Sequence, residues 1–229
     1  MGKLEGKVAA ITASTRSIGR AIAEAYLAEG AKVVISGRSE EKGATALEEM
    51  NAGDNAIFIA CDAGNQSDVE GLIDGTVDHF GKIDIAVLNA GGILNAAPVA
   101  EMTDESWNYA INLNLNHTFW GMRKALQHML PQESGRIIAI SSVEGKLRTA
   151  TVSHYVATKH AINGLVKTAA HEVGESGVTV NAILPGFVKT DLFYESAPQT
   201  AEALGMDSLD EVADMYSSAS AIKKPNTVE

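Results

Sequence analysis

The sequence predicts an α/β protein, a doubly wound parallel sheet flanked by helices on both faces. Two observations carry this. Short β-branched runs alternate with longer stretches of helical periodicity, and most of the runs are apolar at every position, not at every second one. Continuously apolar strands suit a sheet covered on both sides, and the intervening helices supply the crossovers that parallel pairing needs.

Taken in order, strands are read at Lys7–Thr12, Lys32–Ser36, Ala56–Cys61, Ile83–Asn89, Arg136–Ser141 and Val178–Leu184. The longest helical pattern sets Trp107, Ile111, Leu115, Phe119, Met122, Leu126 and Met129 on one face at three- and four-residue steps, a stripe that is core or subunit interface. No repeat, low-complexity tract or Pro/Gly-rich linker divides the chain, so a single domain over 1–229 is expected. After the last strand the pattern turns apolar and acidic, with Phe193, Tyr194, Leu204, Met206, Met215 and Tyr216, and segment 191–222 reads as a substrate-covering lid.

Composition narrows the function. The 229 residues are 45% hydrophobic and 21% charged, which is globular, and the net charge of -11 repels phosphate backbones and anionic lipid. Small molecules are therefore expected as partners, not nucleic acid or membranes. Cys61 is the only cysteine and the opening residues form no apolar leader, which predicts a cytoplasmic protein without disulfides. No His/Cys/carboxylate cluster has metal-ligand spacing, and His154 and His160 are given no role.

The first strand runs into Thr12-Ala13-Ser14-Thr15-Arg16-Ser17-Ile18-Gly19 and then a helix, where an open α/β sheet presents backbone N–H groups to a pyrophosphate. Two of the expected glycines are Ala13 and Ser17, so the segment is equally readable as an ordinary strand-to-helix turn. The second strand ends at Gly37-Arg38 with no carboxylate to accept from a ribose 2′-hydroxyl. Arg38 can instead pair with a 2′-phosphate, with Arg16 closing from the other side and Ser17 as a further donor, which favours NADP (as NADPH) over NAD. Either arginine is also readable as a solvated surface residue.

Tyr155 and Lys159 stand four apart on one helical face, which makes a phenol and an ammonium neighbours. Reduction of a carbonyl needs a proton donor, and an ammonium beside the phenol is expected to bring its pKa down by about two to three units.

Here the chain resembles the short-chain dehydrogenases/reductases. The family's Tyr-x-x-x-Lys pair follows an active-site serine by thirteen residues, and Ser142 holds that position. Its Asn-Ala-Gly matches Asn89-Ala90-Gly91, its active-site asparagine Asn114, and its Pro-Gly turn Pro185-Gly186, followed by Val188 and Thr190, which in the family face the nicotinamide carboxamide. Asp62, followed by Ala63, matches the adenine-contacting aspartate.

The resemblance implies a Rossmann-type sheet of order 3-2-1-4-5-6. It also implies cofactor contacts from Thr12, Ser14, Ile18 and Gly19, and a homodimer or homotetramer through the helices that carry Asn114 and Tyr155. Ser142 would hydrogen-bond the substrate oxygen, Tyr155 would pass the proton, Lys159 would also hold the nicotinamide ribose, and Asn114 would anchor a proton-relay water. The family's usual seventh strand is not found in the sequence, which stops at Pro225-Asn226-Thr227-Val228-Glu229. Where carrier-protein reductases dock through arginines, this chain has Glu133 and Ser176, so a free ketone or secondary alcohol is the expected substrate and a 3-oxoacyl thioester the alternative. An NADP-binding regulatory protein is a further alternative, of another class. No Gly-x-Ser-x-Gly nucleophile elbow supports a hydrolase.

Overall fold

The computed structural model describes residues 2–218 and 220–228, the side chain of Leu192 apart. Met1, Ala219 and Glu229, which the 1–229 and 191–222 readings include, lie outside the described residues. Six parallel strands form one sheet: β1 (Val8–Ile11), β2 (Lys32–Gly37), β3 (Ala56–Ala60), β4 (Ile85–Leu88), β5 (Gly135–Ile140) and β6 (Val178–Ile183), in the order β3-β2-β1-β4-β5-β6. The expected order is therefore the observed one.

Alternate residues of the central strands feed two cores. Ala10, Ala86, Leu88, Ile137 and Ala139 face one side, where they pack on Ile73 of α3 (Gln66–Phe80), Met122 and Met129 of α5 (His117–Met129) and Ile162 and Val166 of α6 (Ser153–Glu172). Ala9, Ile11, Ile85, Val87 and Ile140 face the other, against Ala23 of α1 (Ser17–Ala28) and Ala46 of α2 (Glu40–Met50). Both pleat faces are dry, which is why the strand sequences show no polar alternation.

Most strands end a residue before the apolar runs do, although β2 runs on through Gly37. Thr12, Cys61, Asn89, Ser141 and Leu184 fall just past the strand ends. At the β1 end, Thr12 Oγ1 accepts from the backbone N–H groups of Asn89 and Ala90 at 2.8 and 3.1 Å, and so ties the β1 and β4 turns together. The site residues thus gather where open α/β sheets bind ligands, beyond the carboxyl ends of the strands.

The long amphipathic stripe is not one regular helix. It comprises α4 (Asp104–Ala110), a π-helical segment Ile111–Asn116, and α5. Met122 and Met129 are core, whereas Trp107 and Phe119 are 41% and 42% exposed, so the stripe is core at one end and surface at the other. Beyond β6, α7 (Asp191–Leu204) and α8 (Leu209–Ser218) share a small core of their own, in which Phe193, Ala197 and Val212 pack with Phe187, Met215 and Tyr216.

Candidate active site

The turn after β1 keeps a glycine-like backbone without the glycines. Ala13 and Ser17 sit in the left-handed region at φ 50° and 53°, which costs an L-residue about 1–2 kcal/mol each. Gly19 is required by space, because a Cβ there would come within 2.5 Å of the Ala13 carbonyl oxygen and 2.6 Å of Asn89 Nδ2. Ser14 Oγ is spent on structure, donating to the Ile11 carbonyl at 2.7 Å and accepting from Ser36 N–H at 2.9 Å. Residue Arg16, at the start of α1, is extended and offers no side-chain cap, so the first N–H groups of the helix are open to an anion.

The two arginines have different surroundings. Arg38 is exposed at the end of β2 and makes no ion pair among the described residues. Arg16, read as a 2′-phosphate ligand, instead bonds Glu195 at 2.8 Å and lies 3.4 Å from Asp191, while Ser17 Oγ donates to Asp191 at 3.0 Å. Both acids belong to α7, whose first two turns reach back over the β1 turn and satisfy these donors. Asp62 is exposed beyond β3 and closes its own turn by accepting from Gly64 N–H at 2.9 Å, with Ala63 buried behind it.

Asn89, Ala90 and Gly91 follow β4. Asn89 Nδ2 donates to the carbonyls of Thr12 and Ala13, each at 3.0 Å. Gly91 leaves room for two neighbours, since a Cβ would meet Asn114 Oδ1 at 2.8 Å and Lys159 Nζ at 3.2 Å. Asn114 lies in the π-helical segment, fully buried, and its amide is used up locally: Nδ2 donates to the Gly92 and Ala110 carbonyls at 2.8 Å each, and Oδ1 accepts from Gly92 N–H at 3.0 Å. The wide π turn is what swings this side chain toward the β4 turn, and such turns recur at functional sites.

Ser142, Tyr155 and Lys159 converge at the end of β5. Ser142 Oγ accepts from Glu144 N–H at 3.2 Å and shares a hydrogen bond with the Tyr155 phenol. Lys159, 2% exposed, donates from Nζ to the Ile140 carbonyl at 2.8 Å and lies 5.3 Å from the centre of the Tyr155 ring.

The electrostatics reverse the expectation for this pair. Burial pushes the Tyr155 phenol up to about 12; the Ser142 hydrogen bond opposes this, and the charge of Glu144 and the neighbouring Tyr216 add to it. Burial also takes the Lys159 ammonium down to about 7. Helical spacing makes the two neighbours, as expected, but Lys159 is committed to Ile140 and does not lower the phenol.

These residues open onto one cavity of about 280 Å³, lined by Ile18, Asn89, Gly91, Ser142, Tyr155, Lys159 and the turn from Pro185 to Thr190. Pro185, Gly186, Val188 and Thr190 are in that lining; Thr12, Ser14, Gly19, Ala90 and Asn114 stand behind it. Phe193, Ser196, Met215 and Tyr216 of α7 and α8 close one side. Val188 also pairs with Asn226, whose N–H donates to the Phe187 carbonyl at 2.7 Å.

Sequence reasoning passed over Glu144 and His117. Glu144 lies two residues after Ser142 and is among the residues that line the cavity. His117, one helical turn after Asn114, is fully buried with Nε2 2.9 Å from Thr12 Oγ1, and burial together with nearby Lys159 depresses its pKa to about 3. The available signal was spacing alone, i+2 and i+3 from residues already singled out. Among the described residues no group of His, Cys, Asp and Glu is placed to hold a metal ion, and no helix is long and apolar enough to cross a membrane.

Comparison with known proteins gives the family. Residues 7–201 fit the profile of the short chain dehydrogenase family. The chain is similar to a 3beta-hydroxysteroid dehydrogenase of Mediterraneibacter gnavus, 38% identical over 198 residues that cover 86% of this chain and 71% of that protein. It is also similar to the 3-oxoacyl-[acyl-carrier-protein] reductase FabG of Escherichia coli, 37% identical over 188 residues that cover 82% and 76%. Among solved structures, a variant actinorhodin polyketide ketoreductase with NADPH superposes at a TM-score of 0.89 and 30% identity, over 100% of this chain and 88% of that one. A serine, tyrosine and lysine meeting at the end of the fifth strand, in a sheet of this order and with a family match over most of its length, make the chain a member of the short-chain dehydrogenase/reductase family of oxidoreductases.

Proposed function

We propose that the chain reduces a free ketone to a secondary alcohol, and reverses that reaction, with NADP(H) as cofactor and Tyr155 as general acid and base. The observation that carries the reading is the Ser142–Tyr155 pair opening onto a largely apolar cavity that Lys159 lines beside them. The residues present fit a nicotinamide dinucleotide. The N-terminus of α1 offers uncapped N–H groups, Gly19 permits close packing of the turn, and Arg38 stands free where a carboxylate would select NAD. The bound cofactor supplies or accepts the hydride. Ser142 orients the substrate oxygen, Tyr155 donates its proton to that oxygen, Lys159 anchors the ribose edge of the site, and the backbone around Asn114 holds the relay that returns the proton.

With its pKa near 12, Tyr155 is protonated at neutral pH and ready to donate, so reduction needs no prior ionisation. Alcohol oxidation requires the phenolate, and its rate rises with pH toward that value. The similar proteins are named for a hydroxysteroid, a 3-oxoacyl group and a polyketide, which have a ketone or secondary alcohol in common. Glu133 and Ser176, in place of docking arginines, favour a substrate free of a carrier protein.

The test is fluorescence titration with NADPH and NADH, followed by a ketone panel. The expected result is tighter binding of NADPH, lost by about tenfold or more in Arg38→Asp, which offers the ribose an acceptor and repels the 2′-phosphate. Tyr155→Phe is expected to retain cofactor binding and lose roughly 10²-fold or more in turnover. NADPH binding without turnover of any ketone would instead mark a cofactor-binding regulatory protein.

A further inference from the structure

His117 is a titratable group in the core with no part in the proposed chemistry. It is the first residue of α5, follows Asn114 by one turn, and is fully buried. Its Nε2 lies 2.9 Å from Thr12 Oγ1, the hydroxyl that joins the turns after β1 and β4. The proton count at that hydroxyl fixes which way the bond runs. Thr12 Oγ1 accepts from Asn89 N–H at 2.8 Å and from Ala90 N–H at 3.1 Å, which occupies both of its lone pairs. Its own proton is left with two acceptors in reach. One is His117 Nε2 at 2.9 Å; the other is the Val87 carbonyl at 3.4 Å, which already accepts from Thr12 N–H at 3.0 Å. The shorter contact is the imidazole, so Nε2 accepts and the ring proton sits on Nδ1, which is shielded from solvent and has no hydrogen-bond partner. The opposite tautomer would direct a third donor at the same oxygen. Burial and the nearby Lys159 charge hold the ring neutral, with a pKa of about 3, so the arrangement persists at neutral pH.

We propose that His117 is a positioning residue: by accepting the Thr12 proton it turns that hydroxyl toward the backbone of Asn89 and Ala90, and so holds the β1 and β4 turns in register for the cofactor. The inference rests on the NADP(H) reading and extends it with a residue that stands outside the cavity lining. The connection to the site is short. Asn89 and Gly91 line the cavity on either side of Ala90, and Asn89 Nδ2 donates back to the Thr12 and Ala13 carbonyls at 3.0 Å each. Without the imidazole, the Thr12 proton has only the longer Val87 contact, and rotation toward it carries the lone pairs away from the two N–H groups. The turns then lose a shared acceptor, and buried donors left without one are costly.

The test has two parts. In wild type carrying nitrogen-labelled histidine, proton–nitrogen NMR correlation spectra read the His117 tautomer, and the expected result is a neutral ring with Nδ1–H and unprotonated Nε2 between about pH 5 and 8. An Nε2–H tautomer or an imidazolium overturns the proposal whatever the variants do. NADPH affinity and steady-state constants are then compared across variants. His117→Leu is expected to weaken NADPH binding by about tenfold and to raise the KM for NADPH in step, with kcat changed by less than about threefold because the reacting groups are untouched. His117→Gln offers an amide oxygen in place of Nε2 and should bring affinity back to within about threefold of wild type. Thr12→Val should weaken binding at least as much as His117→Leu, and the double variant should lose nothing further. Unchanged affinity in a folded His117→Leu, or single losses that multiply in the double variant, would assign His117 to packing and overturn the proposal alone. A wild type that binds neither NADPH nor NADH overturns the cofactor reading and the proposal with it.

Discussion

Lys159 shows how burial can decide what spacing cannot. Its ammonium is held in a site that lowers its pKa from 10.5 to about 7, so above that pH the folded chain sheds a proton that the unfolded chain keeps. Stability therefore rises with pH through the window from about 7 to 10.5, in the direction set by the extra proton on the unfolded state. Lys159→Met removes that slope. Between pH 7 and 9.5 the wild type should gain on Lys159→Met by roughly 3 kcal/mol, read from urea midpoints of both proteins at the two values. Parallel changes in the two proteins would mean that the ammonium is solvated in the fold. The pairing of Tyr155 with Lys159 was legible because a four-residue step is a property of the helix itself, whereas Ser142 was found only through the family resemblance. The sign of the pKa shift was not legible, since it depends on the depth of the site and on Ile140, Glu144 and Tyr216, which other elements bring in. The contacts of Arg16 were not legible for the same reason. Its partners, Asp191 and Glu195, come from α7 at the far end of the chain, and no local pattern announces them.

At the scale of elements, the strands were legible to within a residue or two because strands buried on both faces show as unbroken apolar runs. Their ends were read too long, since Thr12 and Asn89 are as compatible with a strand as with the turn that uses their polar groups. The π-helical segment was invisible. Three- and four-residue steps pass through a single wide turn almost unchanged, although the turn alters which way Asn114 points. The β1 turn carries the clearest energetic consequence. Ala13 is exposed and sits at φ 50°, so its methyl pays the left-handed penalty without packing in return. Ala13→Gly should remove that strain, less the entropy a glycine loses on folding, and stabilise the protein by roughly 0.5–1 kcal/mol. Ala13→Val should destabilise it, because branching at Cβ worsens the same clash. Urea midpoints at unchanged slope check both, and a less stable Ala13→Gly would show that the methyl makes a favourable contact.

At the scale of the whole molecule, the helices flanking the sheet leave large aromatic side chains on the surface. The faces of α3, α5 and α6 toward the sheet are filled by the core, but the outer surface of α4 and α5 keeps Trp107, Tyr109 and Phe119 substantially exposed, with Arg123 resting over the Phe119 ring at 4.9 Å. Large aromatic groups left on a helical surface are costly to hold in water, and such groups are what association sites are made from. The net charge of -11 works against association, and the work is greatest at low salt, where the repulsion between copies is least screened. Association through apolar helix faces in an acidic protein should therefore strengthen as salt is raised. The expected outcome is a dimer or larger assembly by light scattering in about 0.15 M salt, with a smaller mass near 0.01 M. Trp107→Glu combined with Phe119→Glu should give a monomer with an unchanged circular-dichroism spectrum, since neither side chain belongs to the core. A wild type that stays monomeric at every salt concentration would assign these aromatics to solvent. A doubly substituted protein that keeps its mass would move the contact to another face, and the half-exposed Ile183 on the edge strand β6 would then be the next residue to change.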